Sequence, residues 1–202
     1  MTDPSTLLVA GTAGTALFVL VFLLDGATRP GYSPVRQPVS ALALGPRGWI
    51  QTANFLVSGA LVTASAIGVH QTTGSVWLAG LIGAFGIALV ASGVFPMDPM
   101  RGYPPGTPDT TPSTTSLKHQ LHDWAGLVVF AALPVAAVVA ALVLDDPAWV
   151  VYSGVTAAAS GALFLCFGTA WEADHPRVGL IQRVTIVVGW SWLGLLCWSL
   201  VP

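Results

Sequence analysis

Six runs of about twenty apolar residues, separated by short polar segments, constrain this chain more than any other feature. They extend approximately over Ser5–Leu24, Trp49–Val69, Ser75–Phe95, His119–Leu144, Trp149–Ala170 and Val178–Val201. A helix of about 20 such residues crosses the hydrocarbon core of a bilayer while satisfying its own backbone amides, which lipid cannot do. With 54% hydrophobic and 8% charged residues, the chain departs from soluble composition in the same direction. The fold class is therefore all-α, a polytopic membrane protein built as a bundle of six transmembrane helices. So little is left between the runs that residues 1–202 read as a single transmembrane domain.

The first run is expected to be a retained helix and not a signal peptide, because its leader carries Asp3 where a positive n-region would be required. The two cysteines, Cys166 and Cys197, fall on antiparallel helices at depths that differ by roughly 20 Å at about 1.5 Å rise per residue. A disulfide needs Cα atoms within about 7 Å, so both read as packing thiols.

Charge is distributed unevenly between the two ends of such a bundle. All seven basic residues, Arg29, Arg36, Arg47, Arg101, Lys118, Arg177 and Arg183, belong to the first, third and fifth connections or to the helix starts beneath them. The opposite end holds only Asp3, His70, Asp145 and Asp146 as ionisable side chains. The positive-inside rule then puts the odd connections in the cytoplasm and both termini outside a cell membrane. Prolines at 30, 34 and 38 keep the first connection extended, and "SALALGP" reads as one apolar helical turn with Ser40 as N-cap. In the third, "GTPDTTPSTTS" is polar and low in complexity, and mobility is expected of it. "DGATRPGY" and "DPMRGY" echo one another across these two loops, as a helix-hairpin repeat or as similar surface turns.

The second, fourth and sixth helices begin at the charged end, so their early polar residues share one depth. These are Gln51, Asn54, His119, His122, Asp123, Gln182 and Arg183, joined by Asp25, Ser92, Asp98, Glu172, Asp174 and His175 where the odd helices end. Ionisable groups are costly at membrane depth and normally face a bundle interior or wet cavity, so a polar basin is expected. His119, His122 and Asp123 are spaced to share one helical face. His122, Asp98 and Asp123 are candidates for acid–base work, with Ser40 as a candidate hydroxyl. His119, His122 and His175 are candidate ligands for a divalent metal such as zinc, which binds nitrogen and carboxylate donors. Arg101 and Arg183 are expected to meet an anionic group. Glycines in "GLIGAFG" and the pairs Ser153-Gly154 and Ser160-Gly161 read as sites of close helix approach. Trp49, Trp77, Trp124, Trp149 and Trp171 read as interface anchors.

The stretch "YSPVRQPVSALALG", Asn54 in "ANFLVSG", then "GVFPMD" and "HDWAGLVVF" together resemble the pattern of a bacterial and archaeal membrane family known as domain of unknown function 998. The resemblance covers most of the chain and implies six helices and no established activity. It singles out Ser40, Asn54, Asp98 and His122. Ala43 stands where that family would lead one to expect a Glu, so no carboxylate role is implied there.

The function that best fits these features is binding, with hydrolysis as a further step open to it, of a membrane lipid or other amphiphile in the basin, Asn54, Arg101 and Arg183 contributing to the ligand site. A small-solute carrier or binding protein, and a membrane scaffold without a ligand, are the alternatives. No basic run points to nucleic acid, and no feature specifies an oligomeric state or decides whether the protein is an enzyme.

Overall fold

The computed structural model describes residues 3–201, so Met1 and Thr2 of the leader and Pro202 at the other end lie outside the described residues. Six helices account for most of it: α1 (Pro4–Thr28), α2 (Gly48–Thr73), α3 (Val76–Val94), α4 (Leu117–Val143), α5 (Pro147–Glu172) and α6 (Val178–Ser199). All six are long and apolar enough to cross a membrane, and no strand is present among the described residues. The chain is a multi-pass membrane protein. Helix starts follow local chemistry: the side chains of Asp3, Ser75, Ser116 and Asp146 each accept a backbone N–H of the first turn, as N-caps do.

Each helix packs on its neighbours in the chain, and α6 closes back on α1 to make a ring. Aromatic side chains fill the middle. Trp190 of α6 stacks on Phe18 at 5.6 Å and meets Phe85 edge-on at 4.7 Å, while Phe55 packs on Phe18 at 5.4 Å. Leu20, Leu24, Ile87, Leu142, Val151 and Leu165 point outward, an apolar exterior that suits lipid. The most peripheral helix is α5, whose buried residues are Ser153, Thr156, Ser160 and Ala170 alone. Its far half is tied to α6 by the Trp192 indole N–H donating to Ser153 Oγ at 3.0 Å.

One close approach lies where α2 crosses α3. A Cβ on Gly86 would lie 2.6 Å from Thr63 N and 2.9 Å from the Gly59 carbonyl. Gly80 and Gly154 correct the expectation for the small-residue runs, since a Cβ on either would meet nothing within 4 Å. Both cysteines are free. Of the five tryptophans read as anchors, Trp49, Trp77 and Trp124 are exposed near helix starts, while Trp149 and Trp171 are half-buried.

The first and third connections fold into a cap over the charged end. Asp25, 4% exposed, pairs with Arg29 and, at 2.7 Å, with Arg47. Arg29 also donates to the carbonyls of Leu42 (2.7 Å) and Leu44 (3.0 Å) and to the Tyr103 hydroxyl (3.3 Å), fastening the two loops together. The echoing Gly-Tyr segments are two similar turns packed on each other: Gly31 and Gly102 have left-handed φ of 71° and 75°, and Tyr32 meets Tyr103 edge to face at 5.2 Å. "SALALGP" forms a 3-10 turn, Val39–Ala43, but its N-cap is Pro38 and no side chain caps it. Ser40 thus lies inside the turn and not at its start, because the turn begins two residues early, with Pro38 as its N-cap. In the third connection, Arg101 N and Gly102 N bond Thr110 O and Pro108 O, and Arg36 pairs with Asp109 at 2.6 Å. These ties hold the first part of a stretch whose composition predicts mobility.

Candidate functional site

A cavity of about 370 Å³ lies between α4 and α5 on the capped side, at the lower end of the roughly 300–1,000 Å³ usual for small-molecule sites. One wall is a single face of α4, His119, His122, Asp123, Gly126, Leu127 and Phe130, at spacings of three and four. The facing wall is the equivalent stripe of α5, Phe164, Phe167, Gly168, Trp171 and Glu172. Pro38, Ser40 and Met97 come from the cap and Gln182 from α6. A second, inner space of about 40 Å³ shares Ser40, His122, Gly126, Phe130 and Gln182 with the first and reaches Phe18, Phe55 and Trp190.

Two glycines open the space between the helices. A Cβ on Gly126 or Gly168 would meet nothing within 4 Å, so each leaves a gap where any other residue would project into the cavity. Leu127 is 46% exposed and lines the cavity at the same time, so the opening faces sideways, toward lipid. The two ends differ in chemistry. Deep in the membrane the lining is aromatic, with Phe130 5.1 Å from Phe167 and stacked at 6.0 Å on Phe164. From Phe164 to Glu172 the α5 wall rises by ~12 Å, and at its upper end the groups are Ser40, His119, His122, Asp123, Glu172 and Gln182.

Hydrogen bonding determines what each polar group offers. His122, 8% exposed, turns Nδ1 to the carbonyls of Phe95 (2.7 Å) and Ser92 (3.2 Å). A carbonyl can only accept, so Nδ1 carries the proton and Nε2 of the neutral ring is an acceptor with no partner among the described residues. His119 has the opposite tautomer. Its Nδ1 accepts the Asp98 backbone N–H at 3.0 Å, leaving the proton on Nε2, which faces Asp123 at 3.3 Å. The Gln182 carbonyl accepts from Val39 N at 2.6 Å, which leaves its amide N–H₂ free; Ser40 Oγ has no hydrogen-bond partner among the described residues. An acceptor, a donor and a hydroxyl thus meet one cavity.

Of the residues proposed from sequence for catalysis, ligand binding or metal, Ser40, His119, His122 and Asp123 line this cavity and Asn54, Asp98, Arg101, His175 and Arg183 do not; of the further basin residues, Glu172 and Gln182 line it as well. Asp98 accepts from both Ser116 N and Ser116 Oγ at 2.7 Å, bonds that hold its carboxyl below the usual carboxylate value, and so braces the N-cap of α4. Asn54 donates to Phe18 O at 3.1 Å and to Gln51 Oε1 at 3.3 Å, stitching α1 to α2. Arg183 donates to Tyr32 Oη and to the carbonyls of Pro34 (2.6 Å), Gln37 (2.9 Å) and Gly179 (2.9 Å). Neither a carboxylate nor a phosphate is needed to account for it, since it straps the first connection onto α6. Burial pushes the Tyr32 phenol up to about 12, so its proton remains available to the Pro38 carbonyl at 2.9 Å. Arg101 lies 4.1 Å over the Trp171 ring, pairs with Asp174 at 3.2 Å and donates to Thr111 Oγ1 and Trp171 O.

The expected zinc set does not assemble. Among the described residues no group of three His, Cys, Asp or Glu side chains is placed to hold a metal. His119 has both ring nitrogens engaged, and His175 is exposed on the α5–α6 connection, where Nδ1 accepts from Arg177 N at 3.2 Å. The aromatic wall, Phe130, Phe164 and Phe167, and the gaps at Gly126 and Gly168 are absent from the sequence-derived set. Their signal was the α5 stripe at positions 164, 167, 168, 171 and 172, apolar for four residues and acidic at the fifth, although on a helix so apolar all round the stripe does not stand out.

A family model described as "Protein of unknown function (DUF998)" matches residues 12–199. No curated protein and no solved structure matches the chain.

Proposed function

The chain belongs to the DUF998 family, whose description carries no activity, and on its cavity we propose that the protein binds a membrane amphiphile, one chain at a time. The polar head lies at Ser40, His122 and Gln182, and the apolar chain runs along Phe130, Phe164 and Phe167 toward the lateral opening. One observation carries this reading: a single cavity is polar at the membrane surface, aromatic at depth and open to the side. An aqueous solute would have no use for the aromatic end. On the opposite half of the bundle Leu8, Val62, Leu78 and Leu196 are completely buried, which supports binding from one side over passage through the ring. Were bond cleavage to follow binding, Ser40 would supply the hydroxyl and His122 Nε2 the proton acceptor.

The test is native mass spectrometry of the purified protein in a maltoside detergent, with a monoacylglycerol as probe. One probe molecule per chain is expected, and His122→Ala should weaken binding roughly fivefold to tenfold, the value of about one hydrogen bond. A parent protein that retains no probe would overturn the reading.

Orientation follows from the arginine distribution. We place the cap, and with it the mouth of the cavity, on the cytoplasmic side. Thr114, exposed in the third connection, provides the check. Thr114→Cys should resist an impermeant maleimide in intact cells and react once they are permeabilised; reaction in intact cells would reverse the orientation.

A further inference from the structure

Resting on the binding reading above, we infer that the head group this cavity selects is a protonated amine, so that the ligand is a long-chain amine or an amine-bearing lipid. The charged residues of the lining are Asp123 and Glu172, both exposed at its upper rim; neither lysine nor arginine contributes to it. The two guanidinium groups that sequence alone would assign to an anionic head have partners of their own, although the buried Nη1 of Arg101 has none among the described residues. Arg183 is held by Tyr32 and three carbonyls. Arg101 lies against Trp171 with Asp174 as its counter-ion. His119 does not neutralise Asp123, because its Nδ1 accepts the Asp98 N–H and the ring therefore holds a single proton.

The groups beneath the rim complete a site for a donor. An ammonium has three N–H bonds and no acceptor. His122 Nε2 is an unpartnered acceptor on a side chain 8% exposed, Ser40 Oγ is a second, and a rim carboxylate is the third. Phe167 and Trp171 line the same space, with one face of the Trp171 ring already covered by Arg101 at 4.1 Å. An anionic head would instead meet two carboxylates, with the Gln182 amide and the Ser40 hydroxyl as its donors. Like-charge juxtaposition of this kind is a means of rejecting the wrong ligand.

The experiment compares three probes of equal chain length, a primary alkylamine, an alkyl phosphate and a monoacylglycerol, against the full-length protein in maltoside micelles. Binding is measured by quenching of tryptophan fluorescence and by native mass spectrometry. The amine is expected to bind about tenfold more tightly than the phosphate. Replacing both rim acids, Asp123→Asn with Glu172→Gln, should lower the ratio of amine to monoacylglycerol affinity roughly fivefold to tenfold, as two half-exposed ion pairs allow. If the monoacylglycerol binds but the phosphate matches the amine, or the double variant leaves that ratio where it was, the amine assignment is overturned and the amphiphile cavity stands. Failure of all three probes to bind overturns both.

Discussion

Gly168→Leu, and Gly126→Leu separately, should abolish binding of a long-chain probe while leaving the protein at least as stable as the parent. The expectation comes from the space around these residues. A Cβ at either position meets nothing within 4 Å, yet both glycines line the cavity of about 370 Å³ between α4 and α5. A leucine there enters the volume meant for the ligand without displacing a neighbouring helix. Replacing glycine in a helix interior also removes a penalty of about 1 kcal/mol relative to a good helix former. Affinity should fall by at least about tenfold, or about 1.4 kcal/mol, and the melting temperature should hold or rise. Gly86→Leu is the contrasting case, since its Cβ would lie 2.6 Å from Thr63 N and the α2–α3 crossing would have to part. Undiminished binding in both cavity variants, with the fold intact, would mean that the ligand lies elsewhere.

The largest stability effect is expected at Asp25. Its side chain is 3% exposed and pairs with Arg29, itself 4% exposed, and with Arg47. Asp25→Ala leaves a buried guanidinium uncompensated, a change that typically costs about 3–5 kcal/mol. The loss is transmitted through the cap, because Arg29 also holds the carbonyls of Leu42 and Leu44 and the Tyr103 hydroxyl. Thermal unfolding in detergent should show a clear fall in midpoint. Asp25→Asn combined with Arg29→Gln should lose less than Asp25→Ala alone, since the cation then left without a carboxylate is Arg47, whose side chain is 41% exposed. A midpoint within a degree of the parent for Asp25→Ala would show that water reaches the cluster.

Much of the concentration of charge at one end of this chain therefore serves architecture. Arg29, Arg36, Arg47, Arg101 and Arg183 are all engaged in ties that fasten the first and third connections to each other and to the helices beneath. The cavity mouth, by contrast, is furnished with carboxylates, imidazoles, an amide and a hydroxyl.

Sequence alone determined the six helices and their limits to within a few residues, because span length follows from bilayer thickness; the caps at Ser75 and Ser116 came from the structure. Sequence also placed His119, His122, Asp123, Glu172 and Gln182 at one depth on the charged side, since depth is set by distance along a helix. Direction around the helix axis, and what stands opposite, belonged to the tertiary structure. Arg183 could serve a ligand or a loop, and the decision came from Tyr32 and the carbonyls of Pro34 and Gln37, more than 140 residues away in the chain. His122 became an acceptor only when the end of α3 presented two carbonyls to Nδ1. The aromatic wall of α5 reads as lipid-facing until α4 stands across from it. In a chain apolar on nearly every face, periodicity does not distinguish lipid from protein interior, and only the closure of the ring assigns each face its partner.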